Sequence, residues 1–421
     1  AHPRSRPEGA SALLSQGVGT FAGMRLLHTS DWHLGRQFHG ASLLEEQAAV
    51  VDRIVELAVG HRAGVVVVSG DLYDRAIPAT PAVELLDEAL LRLRDTGAVV
   101  VAISGNHDSA ARAGFGDRLL SRAGVTVRAD VRRFAEPVVV PDGADGAVAV
   151  YPVPYLDPVV FEATHPSEED GTGAPRRGTH QQALGRAMRE VRADRARRGL
   201  PSVVVAHAFV ANTAPRLDEA PVETCDSERQ LAVGGADRVD QSVFAGFDYV
   251  ALGHLHGHQS WENHRIAYSG SPLRYSFSEE HHRKGVQLVE LDAAGARTVE
   301  FVELGVGRAL RTVTGTLDEL LTDPALDRHR EARVRAVLTD AHLPHQAMAR
   351  LRTRFPHAAE LVHRPPERTD RPVVRTAQEV RARRPLDLAL EFVAEQWDEE
   401  PDAAARASLR DAVVAAVGSD R

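Results

Sequence analysis

The chain has 421 residues, enough for two or three domains, with an ordinary 43% of hydrophobic residues and a formal charge of −9. That charge argues against a surface that is basic throughout. Cys225 is the only cysteine, which excludes an intrachain disulfide and suggests a reducing, cytoplasmic setting. There is no apolar run long enough for a helical membrane span, and the only lysine, Lys284, precedes Gly285, so no Walker A motif exists. Any dependence on ATP must come from another protein.

Residues 1–23 mix Pro, Gly, Ser and Arg without a sustained apolar stretch, and read as a disordered extension, not a signal peptide. Met24 to His28 is a short strand ending in Thr29-Ser30-Asp31-Trp32-His33. A helix follows over 42–60, with Leu43, Gln47, Val50, Ile54 and Leu57 at helical spacing. Val65–Val68 is an unbroken β-branched run, the mark of a strand buried on both faces, and it ends in Ser69-Gly70-Asp71. Pro81 opens a helix striped by Val83, Leu86, Leu90 and Leu93. Ala98 to Ile103 is a strand ending in Ser104-Gly105-Asn106-His107-Asp108. Residues 125–160 are strand-rich, 162–180 a surface loop, and 180–199 a helix. Val203–Val205 is a strand that runs into His207. A polar, helix-poor stretch covers 210–245. Asp248–Leu252 is a strand ending in Gly253-His254-Leu255-His256-Gly257-His258. Strands near 265–270 and 286–291 close the domain by about residue 305.

Residues 308–365 read as a small β-α-β-α-β unit, with strands at 310–314, 333–338 and 359–363 and helices at 317–329 and 344–354. From Arg328 to Arg384 there are 14 arginines against 6 acids. This is either a solvated surface in an arginine-rich chain or a phosphate-backbone contact surface. A proline-containing linker runs to about 385. Two amphipathic helices follow, carrying Leu386, Leu390, Val393 and Trp397, then Leu409, Val413 and Val417. They either pack on their own domain or dock on a partner helix.

Five strand ends thus carry Asp31-x-His33, Asp71, Asn106-His107, His207 and His254-x-His256. Asp71 alone would read as a turn cap. Together the five place carboxylate, amide and imidazole groups at the carboxyl edge of a sheet, where ligands bind in open α/β folds. In extended backbone, residues i and i+2 point the same way, so each x-spaced pair can aim at one ion. The donors include no thiolate and suit Mn, Fe, Mg or Zn. Seven candidate ligands exceed one tetrahedral ion, whereas two ions sharing a carboxylate fit the count, as in two-metal hydrolytic sites.

This set resembles the calcineurin-like metallophosphoesterase superfamily, over roughly residues 24–280. HTSDWHLGRQFHG at 28–40, GDLYDRAIP at 70–78, GNHDS at 105–109, FDYVALGHLHGHQ at 247–259 and YSGSPLRYSFSEE at 268–280 are similar, more narrowly, to its SbcD-type nuclease subunits. The resemblance implies an α/β (α+β) fold: a metallophosphoesterase β-sandwich flanked by helices, a small α/β capping domain and C-terminal helices. The expected division is 24–305 for the nuclease domain, 306–366 for the DNA-capping domain, 367–385 for the linker and 386–421 for a partner-binding tail. It implies that Asp31, His33 and His256 hold one divalent ion, that Asn106, His207 and His254 hold a second, and that Asp71 bridges them. Manganese is the expected metal, with magnesium the alternative. His107 would contact the substrate phosphate and stabilise or protonate the leaving oxygen. A histidine acts near the place of Asp74 in archaeal and eukaryotic relatives, so Asp74 stays open between a supporting role and a plain turn residue. The implied activity is cleavage of DNA ends and hairpins with an SMC/ABC-type ATPase, as a homodimer inside a larger complex. A phosphatase or phosphodiesterase of the same superfamily is the alternative. A DNA-end-binding scaffold with a vestigial site is disfavoured by the intact ligand set.

Overall fold

In a computed structural model of the chain, residues 23–143, 146–166, 178–211, 222–229, 238–366, 383–397 and 401–418 are described. The expected extension before Met24, most of the expected loop at 162–180 and most of the expected linker lie outside them.

The first half alternates strand and helix: β1 (Met24–Thr29), α1 (Leu44–Gly60), β2 (Val65–Ser69), α2 (Thr80–Asp95), β3 (Val99–Ile103) and β4 (Val125–Arg128). Next come β5 (Val138–Asp142), β6 (Gly146–Val153), α3 (Pro158–Thr164), α4 (His180–Arg198), β7 (Ser202–His207), β8 (Tyr249–Gly253), β9 (Gln259–Trp261) and β10 (Ile266–Tyr268). The chain then returns through β11 (Gly285–Leu291) and β12 (Arg297–Glu303). These strands form two six-stranded sheets, ordered β12-β11-β1-β2-β3-β4 and β9-β10-β8-β7-β6-β5. β1 to β4 are parallel, and so are β6, β7, β8 and β10.

The valine run explains how the layers stack. Val65 and Val67 enter a core shared with Val203, Val205, Tyr249 and Ala251 of the opposing sheet. Val66 and Val68 face the other way, against Val50, Ile54, Leu86 and Leu93 of α1 and α2. Period-two alternation thus serves two cores at once. On the far side, α4 covers the second sheet with Ala183, Leu184, Ala187, Met188 and Val191. The expected sandwich flanked by helices is what forms.

The third sheet is β13 (Leu310–Gly315), β14 (Arg333–Leu338) and β15 (Ala358–His363), all parallel, with α5 (Leu317–Thr322) and α6 (Ala347–Arg354). It has its own core of Val313, Leu317, Leu320, Leu338, Leu351 and Phe355. It is tied to the sandwich where the Arg308 amide and the Arg333 guanidinium donate to Glu46 (2.9 and 3.0 Å), and where Arg335 lies over the Phe277 ring at 4.5 Å. Residues 24–364 belong to one compact unit, and a second begins at Pro365. In that second unit, α7 (Pro385–Trp397) packs on α8 (Ala403–Gly418).

Four expectations are corrected. Val83 is exposed; the buried stripe of α2 is Ala82, Leu85, Leu86, Ala89 and Leu93. The expected helix 317–329 breaks at Asp323, which is extended, and a 3₁₀ turn begins at Pro324. Proline has no amide hydrogen and disfavours helix in the residue before it. The expected loop at 162–180 starts later, because Asp157 caps α3 through the amides of Val159 and Val160. Several of the arginines counted above serve the fold. Arg333 and Arg354 are buried, Arg335 pairs with Glu360 at 2.7 Å and Arg350 with Asp318 at 3.0 Å.

Candidate metal centre

Parallel strands deliver their last residues to one edge, which is why the five clusters meet. β1, β2 and β3 end at Thr29, Ser69 and Ile103; β7 and β8 end in register, with His207 opposite Gly253. The loops beyond them are laced together. The Asp31 amide donates to the Gly70 carbonyl (3.0 Å) and the His33 amide to the Asp71 carbonyl (2.9 Å). Asp31, His33, Asp71 and His254 all have left-handed backbones, with φ of 53°, 44°, 49° and 110°. Such conformations cost about 1–3 kcal/mol each and persist only where the surroundings impose them. Glycine makes room for this. A Cβ on Gly105 would lie 2.1 Å from Asp71 Oδ1, and one on Gly253 would lie 1.8 Å from the Ser69 carbonyl.

All eight sequence-predicted residues converge. Asp71 Oδ2 sits between His33 Nε2 (3.6 Å) and His207 Nε2 (3.5 Å). Donor atoms of Asp31, His33 and His256 lie within 4.8 Å of one another, as do those of Asp31, Asp71 and His207. Asn106 Oδ1 is 2.9 Å from His207 Nε2 and 3.1 Å from His254 Nδ1. The His254 amide donates to Asp31 Oδ1 (3.0 Å) and the His107 amide to Asp71 Oδ1 (2.9 Å). The His107 ring stands apart, with Nδ1 against the Asp74 carbonyl (2.9 Å) and its plane nearly perpendicular to His33. Asp74 is therefore no idle turn residue. Its carbonyl orients His107, and its carboxylate lies between Arg36 (3.2 Å) and His33 Nδ1 (3.7 Å).

The donor set fits a cation. The Ser69 carbonyl can only accept, so His207 carries its proton on Nδ1, 2.8 Å away. Burial lowers that imidazole to about 3, so no second proton is available. Its Nε2 lone pair then faces the oxygens of Asn106 and Asp71. Acceptors facing acceptors in a buried site call for positive charge between them.

The metal-free electrostatics give a signed expectation. Burial, opposed by His256 and reinforced by Asp71, raises Asp31 from 3.8 to about 8. Burial is the largest influence and works against the His256 proton, but Glu279, Cys225 and Glu228 together outweigh it and hold that group well above 6.5. Both groups bind protons more tightly folded than unfolded, so their stabilisation is lost as pH rises. His207, lowered from 6.5 to about 3, acts oppositely, but only below 6.5. Metal-free protein is thus expected to melt at a lower temperature at pH 8 than at pH 6.5. Scanning calorimetry in EDTA measures this, and the reverse order would contradict the assigned shifts.

Residues 24–258 match the calcineurin-like phosphoesterase family, and residues 306–396 match a family described as the type 5 capsule protein repressor C-terminal domain. A curated relative, the SbcD subunit of the SbcCD nuclease of Staphylococcus saprophyticus, is 31% identical over 346 residues, covering 81% of this chain and 85% of the relative. The chain belongs to the SbcD family of calcineurin-like phosphoesterases. It is accordingly a hydrolase with a fold that works with divalent metal ions. Among solved structures, a Thermus thermophilus protein (12% identity, TM-score 0.38) covers 67% of this chain and 99% of its own. A dimetal phosphatase from Danio rerio (11% identity, TM-score 0.37) covers 67% and 97%. Scores this low add nothing to the assignment. Among the described residues, no helix is long and apolar enough to cross a membrane.

Around this SbcD-family site stand residues that the motifs did not single out. Asp108 accepts from the amides of Leu72, Tyr73 and Gly105 (3.0, 3.0 and 2.9 Å), clamping the second loop to the third. Gln47, read above as part of an apolar stripe, is buried and donates to the His33 carbonyl at 2.7 Å. Glu228 receives the His256 amide. A polar residue at a core position of a helix was the available signal for Gln47. Glu228 lies in the polar 210–245 stretch and had none.

Proposed function

We propose that the chain is a metal-dependent DNA nuclease subunit. It hydrolyses phosphodiester bonds at double-stranded ends and hairpins, as a 3′–5′ exonuclease and single-strand endonuclease. It works with an SbcC-type SMC/ABC ATPase in DNA repair, recombination and replication, in the cytoplasm at the nucleoid. The observation that carries the metal chemistry is Asp71 Oδ2, flanked at 3.6 and 3.5 Å by one imidazole from each half of the site. Asp31, His33 and His256 would hold one ion, Asn106, His207 and His254 the other, and Asp71 both. The ions are Mn²⁺, with Mg²⁺ the alternative. When bound, they supply positive charge to a phosphodiester and to the water that attacks it. His107, with Nδ1 donated to the Asp74 carbonyl, keeps Nε2 to hold or pass a proton at the leaving oxygen.

The nuclease reading is supported by the curated relative, itself part of a nuclease, which this chain matches along most of its length. The test is cleavage of end-labelled linear duplex with Mn²⁺ and with Mg²⁺, with and without the ATPase and ATP. Activity confined to nucleotides or phosphopeptides would replace the nuclease by a phosphatase.

Residues 24–305 would form the nuclease domain, and 306–366 would cap DNA through arginines. α7 and α8 would dock on the ATPase. In support, both helices carry apolar residues at i, i+4 spacing, and Phe392 and Val414 are exposed. Deleting 386–421 is expected to abolish co-purification with the ATPase and leave hydrolysis of bis-p-nitrophenyl phosphate within about twofold, since the site lies wholly in the first compact unit, which has its own cores. Survival of the complex would place the docking surface elsewhere. Ile77, Phe115 and Leu119 are also exposed on segments that follow the site loops. They would supply the contact of a homodimer within a heterotetramer with two ATPase subunits, measurable by light scattering.

A further inference from the structure

Of the chain's 50 Lys and Arg residues, 49 are arginine. The one lysine, Lys284, is buried directly behind the metal centre. Its ammonium donates to Glu279 Oε2 (2.6 Å), Ser271 Oγ (2.8 Å) and the His256 carbonyl (2.9 Å). Glu279 is fully buried, and its other oxygen lies 3.2 Å from His256 Nδ1. The far side of that ring, Nε2, is 3.2 Å from His33 Nε2. A continuous line therefore runs from Lys284 through Glu279 and His256 into the site. The His256 backbone is gripped at both ends, its amide by Glu228 and its carbonyl by Lys284 and the Ser271 amide (3.2 Å).

The shape of this pocket explains why an arginine-rich chain keeps a lysine here. Three acceptors surround one compact ammonium, each taking one of its three hydrogens. A guanidinium is planar and wider, and cannot direct three hydrogens from a single atom. The neighbouring carboxylate does for His256 what outer partners do for ligating histidines generally. By accepting a hydrogen bond from one ring nitrogen it fixes the tautomer and the ring angle, so the other nitrogen presents its lone pair.

We propose that Glu279 and Lys284 are positioning residues for His256. Glu279 holds the ring with Nδ1–H outward and Nε2 inward. Lys284 holds Glu279 and the His256 carbonyl in place. The inference rests on the reading of Asp31, His33 and His256 as ligands of one ion.

A merely structural role for the pair is the competing account. Removing both charges together avoids stranding either one, and such exchanges are often neutral for stability. The double variant Glu279→Gln/Lys284→Met is therefore compared with wild type by titration calorimetry with Mn²⁺ on metal-free protein, alongside circular dichroism and thermal melting. The expected result is a folded variant that keeps one Mn²⁺ site and binds at the other about 10–100-fold more weakly. Lys284→Arg alone, which keeps the charge but not the three-way grip, is expected to weaken the same site. Two sites of unchanged affinity in the folded double variant would overturn the positioning role alone. Fewer than two sites in wild type would overturn the metal-centre reading on which it rests. If the double variant does not fold, wild type labelled with ¹⁵N-histidine and loaded with Zn²⁺ decides by NMR. His256 should be coordinated through Nε2 and protonated at Nδ1; coordination through Nδ1 would overturn the proposal.

Discussion

Replacing Asp71 with asparagine is expected to abolish phosphodiester hydrolysis, with turnover falling by at least ~10²–10³, the usual cost of one lost transition-state-stabilising group. The substitution is nearly isosteric. An asparagine there would still accept the His107 amide through Oδ1, so the third loop should stay in place. The other atom changes character. Where Asp71 Oδ2 now lies 3.5–3.6 Å from two imidazole nitrogens, an amide NH₂ would point donors at their lone pairs. That arrangement satisfies the metal-free site and repels a cation. The variant should therefore melt higher than wild type in EDTA, because a carboxylate made costly by burial has gone. It should also lose the stabilisation by Mn²⁺, which for wild type is about 2.7 kcal/mol per site at 100 times Kd. Calorimetry with and without Mn²⁺, beside a turnover assay, reads both effects. A variant that still gains stability from two ions would remove Asp71 from the bridging position.

His107→Ala is expected to give the opposite pattern: Mn²⁺ binding and duplex affinity kept, turnover down by ~10²–10⁴, the range for loss of a general acid or base. The His107 side chain reaches the Asp74 carbonyl and packs on His33, while only its backbone amide touches Asp71, and alanine keeps that amide. The loss should also depend on the leaving group. DNA leaves as an alkoxide that needs a proton; p-nitrophenolate does not. Single-turnover rates on both substrates should show the smaller deficit for the nitrophenyl ester. Equal deficits would assign His107 to phosphate contact instead of proton donation, and loss of metal would show that it is a ligand.

These residues were readable in the sequence because each follows a buried strand directly, and the parallel order of β1–β3 and of β7 with β8 does the rest. The glycines before Asp71, Asn106 and His254 were part of the same pattern. What was not legible depends on approaches between distant segments. Glu279 lies in the 268–280 motif and Lys284 just beyond it, yet neither shows a task in the sequence; only the closeness of Ser271 and His256 gives them one. Asp108 sits in the most visible motif of the chain, yet its task, holding the amides of Leu72 and Tyr73, shows only when two loops meet. Periodicity located the helices at 42–60 and from Pro81 but not always the face they bury. In α2 the buried face is set by Leu85 and Leu86 together, which turns Val83 outward.

The site is closed by contacts between residues far apart in sequence: the His254 amide meets Asp31 across 223 positions. The site needs the strand ends of both sheets in place, so it is expected to form only after the sheets condense. Bound ions should then act almost wholly on the rate of unfolding, since interactions absent from the folding transition state slow escape from the native state without hastening its formation. Mn²⁺ should lengthen the lifetime of the folded protein and leave the refolding limb of a chevron plot where it was.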